Sequence, residues 1–123
     1  YIYPKDNTSG CTIEADGFSE IYDEFQKLNT EVVGISKDTE KTHENFRKKQ
    51  GLKQELISDP ERIFLNNFGC VYKGKMFGKE VTKTERSTFV FNKDMNLVKE
   101  FRKVKPDENP QEVLDFVRDN LND

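Results

Sequence analysis

Cysteine, histidine and long apolar runs are scarce in this sequence. Its 123 residues include 2 cysteines and 1 histidine. Two thiols cannot staple a small scaffold. Cys11, Cys70 and His43 together also fall short of a structural zinc site. No apolar run approaches the roughly 20 residues of a membrane span, and no leader of charged, apolar and small residues is evident. A basic excess is missing too. The 20 Lys and Arg face 23 Asp and Glu, leaving a net charge of −3 and no electrostatic footprint for nucleic acid. Hydrophobic residues make up only 33%, so the core must be small, and the 10 phenylalanines must supply much of it. Leu, Ile, Val and Phe together still exceed the level that marks a disordered chain. The length suits a single domain over residues 1–123.

Periodicity and turn chemistry outline the elements. Tyr1-Ile2-Tyr3 reads as the end of a strand stopped by Pro4. Lys5 to Gly10 is turn chemistry throughout. Phe18, Ile21, Tyr22, Phe25 and Leu28 have amphipathic spacing, which predicts a helix from about Thr12 to Leu28 with Gly17 as its weak point. Glu31 to Ser36 is a β-branched run and a buried strand. Asp38 or Thr39 can cap a second helix reaching Gln50, with Phe46 inward and Gly51 as its stop. Gln54 to Ser58 is a further strand. Asp59-Pro60 then opens a third helix, with Pro60 at the first helical position and Ile63, Phe64 and Phe68 on one side. Cys70 to Lys83 alternates only loosely. Ser87 to Asn92 and Leu97 to Val104 predict a hairpin. Pro110 starts a last helix. This order predicts an α/β three-layer sandwich with a mixed central sheet flanked by helices.

Cys11 falls where a turn becomes a helix. The first N–H groups of a helix lack internal partners and the dipole is positive there, so a thiolate is stabilised and more reactive. Spacing alone leaves this thiol open between function and packing. Thr8, three residues earlier, carries a hydroxyl. Pro4 can shield one side of the sulfur. Glu14 suits either the helix dipole or the orientation of a basic residue.

The segment from Tyr3 to Ala15, YPKDNTSGCTIEA, is far more specific. It resembles the peroxiredoxin signature Pro-x-x-x-Thr-x-x-Cys, and within that family the bacterioferritin comigratory protein (peroxiredoxin Q) branch. Ser9 stands where proline is usual. Val32 to Ser36, Ser58-Asp59-Pro60, Lys75 to Lys79, Glu85 to Phe89 and Phe101 to Lys105 match further family segments in order, so the resemblance covers the whole chain. It implies a thioredoxin-like fold and a thiol peroxidase acting on hydrogen peroxide and organic hydroperoxides. Cys11 would be the peroxidatic cysteine and pass through a sulfenic acid. Thr8 would hydrogen-bond the peroxide, Arg86 would fix the thiolate and stabilise charge on the oxygens, and Pro4 would shield the sulfur. Donors aimed at a leaving oxygen lower the barrier to O–O cleavage. No metal, haem or flavin cofactor is expected, because sulfur carries the chemistry. The resemblance also implies a cytoplasmic monomer reduced by thioredoxin or another thiol. Relatives carry a β-hairpin before the segment matching Tyr1, so the expected native protein is longer at its N-terminus.

The chain departs from the family at the resolving step. The two usual resolving positions are Asp16 and Arg47 here, not cysteines. Cys70, the other thiol, is open between a buried apolar filler, a non-standard resolving cysteine and a regulatory or intermolecular thiol. Without it, an external thiol would reduce Cys11 directly. A redox sensor that reacts once with peroxide is the alternative to a cycling enzyme. His43, among Glu40, Lys41, Glu44 and Arg47, reads as part of a solvated helix face. Phe18, Phe25, Phe46, Phe64, Phe68, Phe89, Phe91 and Phe116 read as core. Met76 and Phe77 suit either a loop lining the substrate approach or simple packing.

Overall fold

The computed structural model describes residues 1–121. Its elements run α1 (Ser9–Glu20), α2 (Tyr22–Lys27), β1 (Val33–Ser36), α3 (Glu40–Gln50), β2 (Glu55–Ser58), α4 (Ile63–Asn67), β3 (Val71–Met76), β4 (Lys79–Thr84), β5 (Thr88–Phe91), β6 (Leu97–Phe101) and α5 (Asn109–Asn120). The six strands form three two-stranded ladders: parallel β1–β2, antiparallel β3–β4 and antiparallel β5–β6.

Ile2 joins two of these ladders. Its N–H donates to the Ser87 carbonyl at 2.7 Å, and it bridges Ile35 in parallel and Ser87 in antiparallel fashion. Tyr1, Ile2 and Tyr3 thus lie between β1 and the start of β5, as the mixed-sheet expectation requires. Alternation along this segment separates two cores. Tyr1 and Tyr3 pack with Cys11, Phe18, Phe25, Val90, Val113, Leu114 and Val117, under α1, α2 and α5. Ile2 packs on the opposite side with Leu65 and Cys70, bordered by Phe68 and Phe89. A third cluster sets Phe46 of α3 against Ala15 and Leu52.

Several local expectations hold. The Thr39 hydroxyl accepts the Thr42 N–H and caps α3, and Gly51 ends that helix at a φ of 65°. Pro110 lies in the first turn of α5. Others need correction. The expected helix from Thr12 to Leu28 breaks at Ile21 into α1 and α2. Both pieces still turn a Phe ring inward, with Phe18 and Phe25 centroids 6.2 Å apart. Apolar spacing reports which face is buried, not whether the hydrogen-bond ladder is continuous.

Pro60 does not open α4. Asp59 reaches across the Pro60–Arg62 turn, and its two carboxylate oxygens accept the N–H groups of Ile63 and Leu65, both at 3.0 Å. The helix therefore starts later, and Leu65 is its inward residue. Ile63 and Phe64 are exposed, and Phe91 is partly exposed at 38%. The loosely patterned stretch from Cys70 to Lys83 is the β3–β4 hairpin, closed by Phe77 (φ 52°) and Gly78 (φ 78°). Positive φ at both central residues is the mirror-image turn that suits strand twist. Phe77 is 98% exposed at its tip, and Met76 is exposed beside it.

Gly17 has a role other than weakening its helix. A Cβ there would lie 2.9 Å from Pro110 Cγ, so the missing side chain lets α1 and α5 touch. Gly17→Ala should therefore destabilise the fold by about 1–3 kcal/mol through overpacking, despite alanine's higher helix propensity. Urea unfolding of the two proteins measures it, and a more stable alanine variant would contradict this packing.

Candidate functional site

The site begins at the start of α1. The first intrahelical bond runs from the Thr12 N–H to the Thr8 carbonyl at 2.9 Å. The N–H groups of Ser9, Gly10 and Cys11 thus have no intrahelical acceptor and give this end its positive character. Cys11 is the third residue of the helix, buried, and a free thiol.

Arg86, just before β5, reaches this sulfur. Its Nη2 donates to Cys11 Sγ at 3.4 Å, while its Nη1 donates to Glu14 Oε1 at 2.9 Å. Glu14 lies one turn beyond Cys11 and is 0% exposed. The guanidinium fork matches both groups at once, which the point charge of a lysine cannot do. Burial pushes the Glu14 carboxyl up to about 7, and Arg86 pulls against that rise. Burial disfavours the Arg86 cation in turn, but Glu14 and Cys11 more than hold it charged. Of the two readings open for Glu14, orientation of a basic residue is the one its ion pair fits.

Gly10 completes the contact. A Cβ at this position would come within 3.1 Å of Arg86 Nη2, a group already held in place by Glu14. Sequence reasoning missed Gly10, since nothing in KDNTSG distinguishes a turn glycine from one that clears space for a distant arginine.

Thr8 and Pro4 border the loop that leads to Cys11, and among the described residues no hydrogen bond joins the Thr8 hydroxyl to the sulfur. The Thr8 hydroxyl donates to the Lys5 carbonyl at 2.8 Å, which leaves its lone pairs free to accept. Thr8 is exposed, and Pro4 is half-buried at the loop's start.

Cys70 is placed apart from this group. It is fully buried with Ile2 and Leu65, across the Tyr1–Tyr3 segment from the cluster that holds Cys11. Burial pushes its thiol up, against a Ser87 hydrogen bond and the charge of Arg102.

His43 is the clearest correction. It is 3% exposed and not on a solvated face. Its Nδ1 lies 2.6 Å from Asp6 Oδ2 in the Cys11 loop. Asp6, Asp38 and His43 offer ligand atoms within 4.8 Å of one another. These atoms are engaged in mutual hydrogen bonds and bonds to Tyr3, Ser36 and Ile57, so the donor set suits a hydrogen-bond network better than a cation.

A free thiol at a helix start, held by a half-buried arginine on an α/β sandwich, is the arrangement of a thiol-dependent redox protein of thioredoxin-like fold. Comparison with known proteins narrows this. The AhpC/TSA family profile matches residues 1–100, and the chain belongs to that family. It is 40% identical over 105 residues to Peroxiredoxin Bcp of Xanthomonas campestris, covering 85% of this chain and 66% of that protein. It is 39% identical over 119 residues to Peroxiredoxin Bcp of Bacillus subtilis, covering 97% and 76%. Among solved structures, the Xanthomonas campestris bacterioferritin comigratory protein, studied for alkyl peroxide reduction, superposes with a TM-score of 0.91 at 36% identity, covering 97% of this chain and 76% of that one. A mutant PrxQ of Xylella fastidiosa gives 0.93 at 34%, covering 98% and 75%.

Arg86→Ala should slow alkylation of Cys11 by iodoacetamide at neutral pH by about tenfold or more. It should also cost about 3 kcal/mol of stability, because Glu14 is left buried without its partner. An unchanged alkylation rate in a folded variant would remove Arg86 from the site.

Proposed function

We propose that this chain is a thiol-dependent peroxidase in which Cys11 is the peroxidatic cysteine. The observation that carries this is Arg86 donating at once to Cys11 Sγ and to the buried Glu14. The Cys11 thiolate attacks one oxygen of hydrogen peroxide or an organic hydroperoxide. A sulfur–oxygen bond forms, the O–O bond breaks, and the leaving oxygen departs as water or alcohol once it takes up a proton. Cys11 is oxidised to the sulfenic acid and the peroxide is reduced.

The residues around it act by charge and position. The guanidinium donates to the sulfur and lies where charge develops on the oxygens. Thr8, its proton committed to the Lys5 carbonyl, accepts the peroxide O–H and orients it. Pro4, half-buried at the loop's start, limits water on one side.

The sulfenic acid is then reduced by an external thiol such as thioredoxin, glutaredoxin or a low-molecular-weight thiol. The first thiol condenses with it, releasing water and leaving a mixed disulfide. A second thiol attacks that disulfide and frees Cys11. Placement of Cys70 in the other core, with its thiol pushed up, supports this one-cysteine route over an internal disulfide. No helix among the described residues is long and apolar enough to cross a membrane.

Cys11→Ser should abolish peroxide-dependent NADPH oxidation in a thioredoxin-coupled assay, and Cys70→Ala should retain most of it. Retained turnover in the Cys11 variant would end the proposal. Intact mass after one equivalent of peroxide separates the two routes. A dimedone adduct on Cys11 with Cys70 free is expected, whereas loss of both thiols within one chain would mean a Cys11–Cys70 bridge.

A further inference from the structure

Among the described residues Asp6 and His43 make no hydrogen bond or ion pair with the Cys11 sulfur or Arg86, yet both are buried. Taking two ionisable groups out of water is costly unless each is matched. Here the matching is extensive. Asp6 Oδ1 accepts from the Tyr3 hydroxyl at 2.6 Å, and Asp6 Oδ2 lies 2.6 Å from His43 Nδ1. The Asp6 N–H donates to Asp38 Oδ2 at 2.9 Å, an oxygen that also accepts the Ser36 hydroxyl at 2.6 Å. The second ring nitrogen of His43, Nε2, lies 3.1 Å from the Ile57 carbonyl of β2.

Both close neighbours of the ring are therefore acceptors, a carboxylate oxygen and a carbonyl. The Tyr3 hydroxyl, 3.4 Å from Nδ1, directs its proton to Asp6 and adds only lone pairs. A neutral imidazole has one N–H and leaves one of these acceptors opposite a bare lone pair. The imidazolium satisfies both. The geometry selects the cation.

What this pair holds is the Cys11 loop. Between Pro4 and Gly10, Asp6 has the single buried side chain, while Lys5, Asn7, Thr8 and Ser9 are exposed. Asn7 adopts a left-handed φ of 64°, a conformation that a short polar residue visits only as an isolated turn. Apart from its backbone bonds and the Thr8–Lys5 contact, the loop is tied down through Asp6.

We propose that His43 is a positioning residue for Cys11: its imidazolium, paired with Asp6, fastens α3 to the Cys11 loop and holds Thr8 and the start of α1 in the reactive arrangement. This rests on reading Cys11 as the peroxide-reactive thiol. Reactivity then depends on the His43 proton. The groups facing the ring are Asp6 and Tyr3 from the N-terminal segment, Asp38 from the β1–α3 turn, and the uncharged Ile57 carbonyl from β2. On α3 itself Glu44 is the next residue, and Glu40 and Arg47 stand one turn away on either side. Burial works against the charged ring, but Asp6, Ile57 and Asp38 outweigh it and hold His43 charged above its ordinary range. A raised histidine stabilises fully below its unfolded value of about 6.5. That contribution disappears as pH rises through the folded value. The loop should loosen on the alkaline side.

His43 is the one histidine in the chain, so its ring nitrogens give unambiguous NMR signals. The experiment titrates those signals in the wild-type protein and measures, over the same pH range, the rate of Cys11 oxidation by hydrogen peroxide and of its alkylation by iodoacetamide. A doubly protonated ring at pH 7 is expected, with both rates falling on an alkaline limb whose midpoint matches the ring titration. His43→Gln should lower both rates by about tenfold at pH 7 and abolish that limb. A neutral ring at pH 7 overturns the proposal, as does a folded variant with wild-type rates and profile. If His43→Gln does not fold, the wild-type comparison decides alone: mismatched midpoints reject the idea. Wild-type Cys11 that alkylates readily but ignores peroxide would instead sink the peroxidase reading, and the alkylation profile would still test His43.

Discussion

A carboxylate with no exposed surface, inside the first helix, constrains the rest of the molecule. Buried alone, Glu14 would have to give up its charge, and it is a cation beside it that favours the carboxylate. That cation is Arg86, 72 residues away in sequence, delivered at the start of β5. Once it is anchored on Glu14, its second arm has little freedom, and it lies on Cys11 Sγ. One ion pair therefore joins the first helix to the C-terminal hairpin and aims a donor at the thiol. Gly10 is part of the same constraint, because a side chain there would contest the space that Nη2 occupies.

The strand-like segment Tyr1–Tyr3 makes this possible. Ile2 carries the backbone link between Ile35 and Ser87, and Ser87 directly follows Arg86. Its alternating side chains feed both cores, with Tyr1 stacked on Phe18 at 4.4 Å and Ile2 against Leu65 and Cys70. The loop to Cys11 leaves immediately after Tyr3, whose hydroxyl holds Asp6. The sheet thus sets both Arg86, at one end of β5, and the loop that bears the thiol.

Much of this was legible in the sequence, and the misses share a cause. Apolar spacing and turn residues located most helices and the β5–β6 hairpin, because those signals are local. The family resemblance of the Glu85 to Phe89 segment pointed to Arg86, and the structure brings it within hydrogen-bond reach of Cys11. Interactions reaching across the chain were not legible. His43 has charged neighbours on α3, so its surroundings in sequence suggest water; its partner Asp6 is 37 residues away. Asp59 caps α4 from beyond an intervening turn, which hides the helix start behind Pro60. The β3–β4 hairpin turns on Phe77-Gly78, and a phenylalanine with positive φ is not an expected turn signal.

Both cysteines lie beside a guanidinium, yet their surroundings differ. Arg102 Nη1 lies 3.7 Å from Cys70 Sγ, close to the 3.4 Å that separates Arg86 from Cys11. The remaining donors of Arg102 are spent differently. They bind the Phe68 and Gly69 carbonyls, each at 2.8 Å, and Nε pairs with Glu85 at 2.8 Å. Arg102 thus acts as a clamp on the chain leaving α4, and its charge is shared among acceptors before it reaches the sulfur. Position along the helices adds to the contrast. Cys70 follows the C-terminal end of α4, where carbonyls gather and a thiolate is disfavoured, whereas Cys11 stands among the free N–H groups that open α1. Arg86 has one carboxylate to satisfy and a thiol beside it, so its second arm can serve charge that appears on sulfur or on an oxygen bound there. What each arginine already holds, together with the helix end beside each thiol, separates the two surroundings.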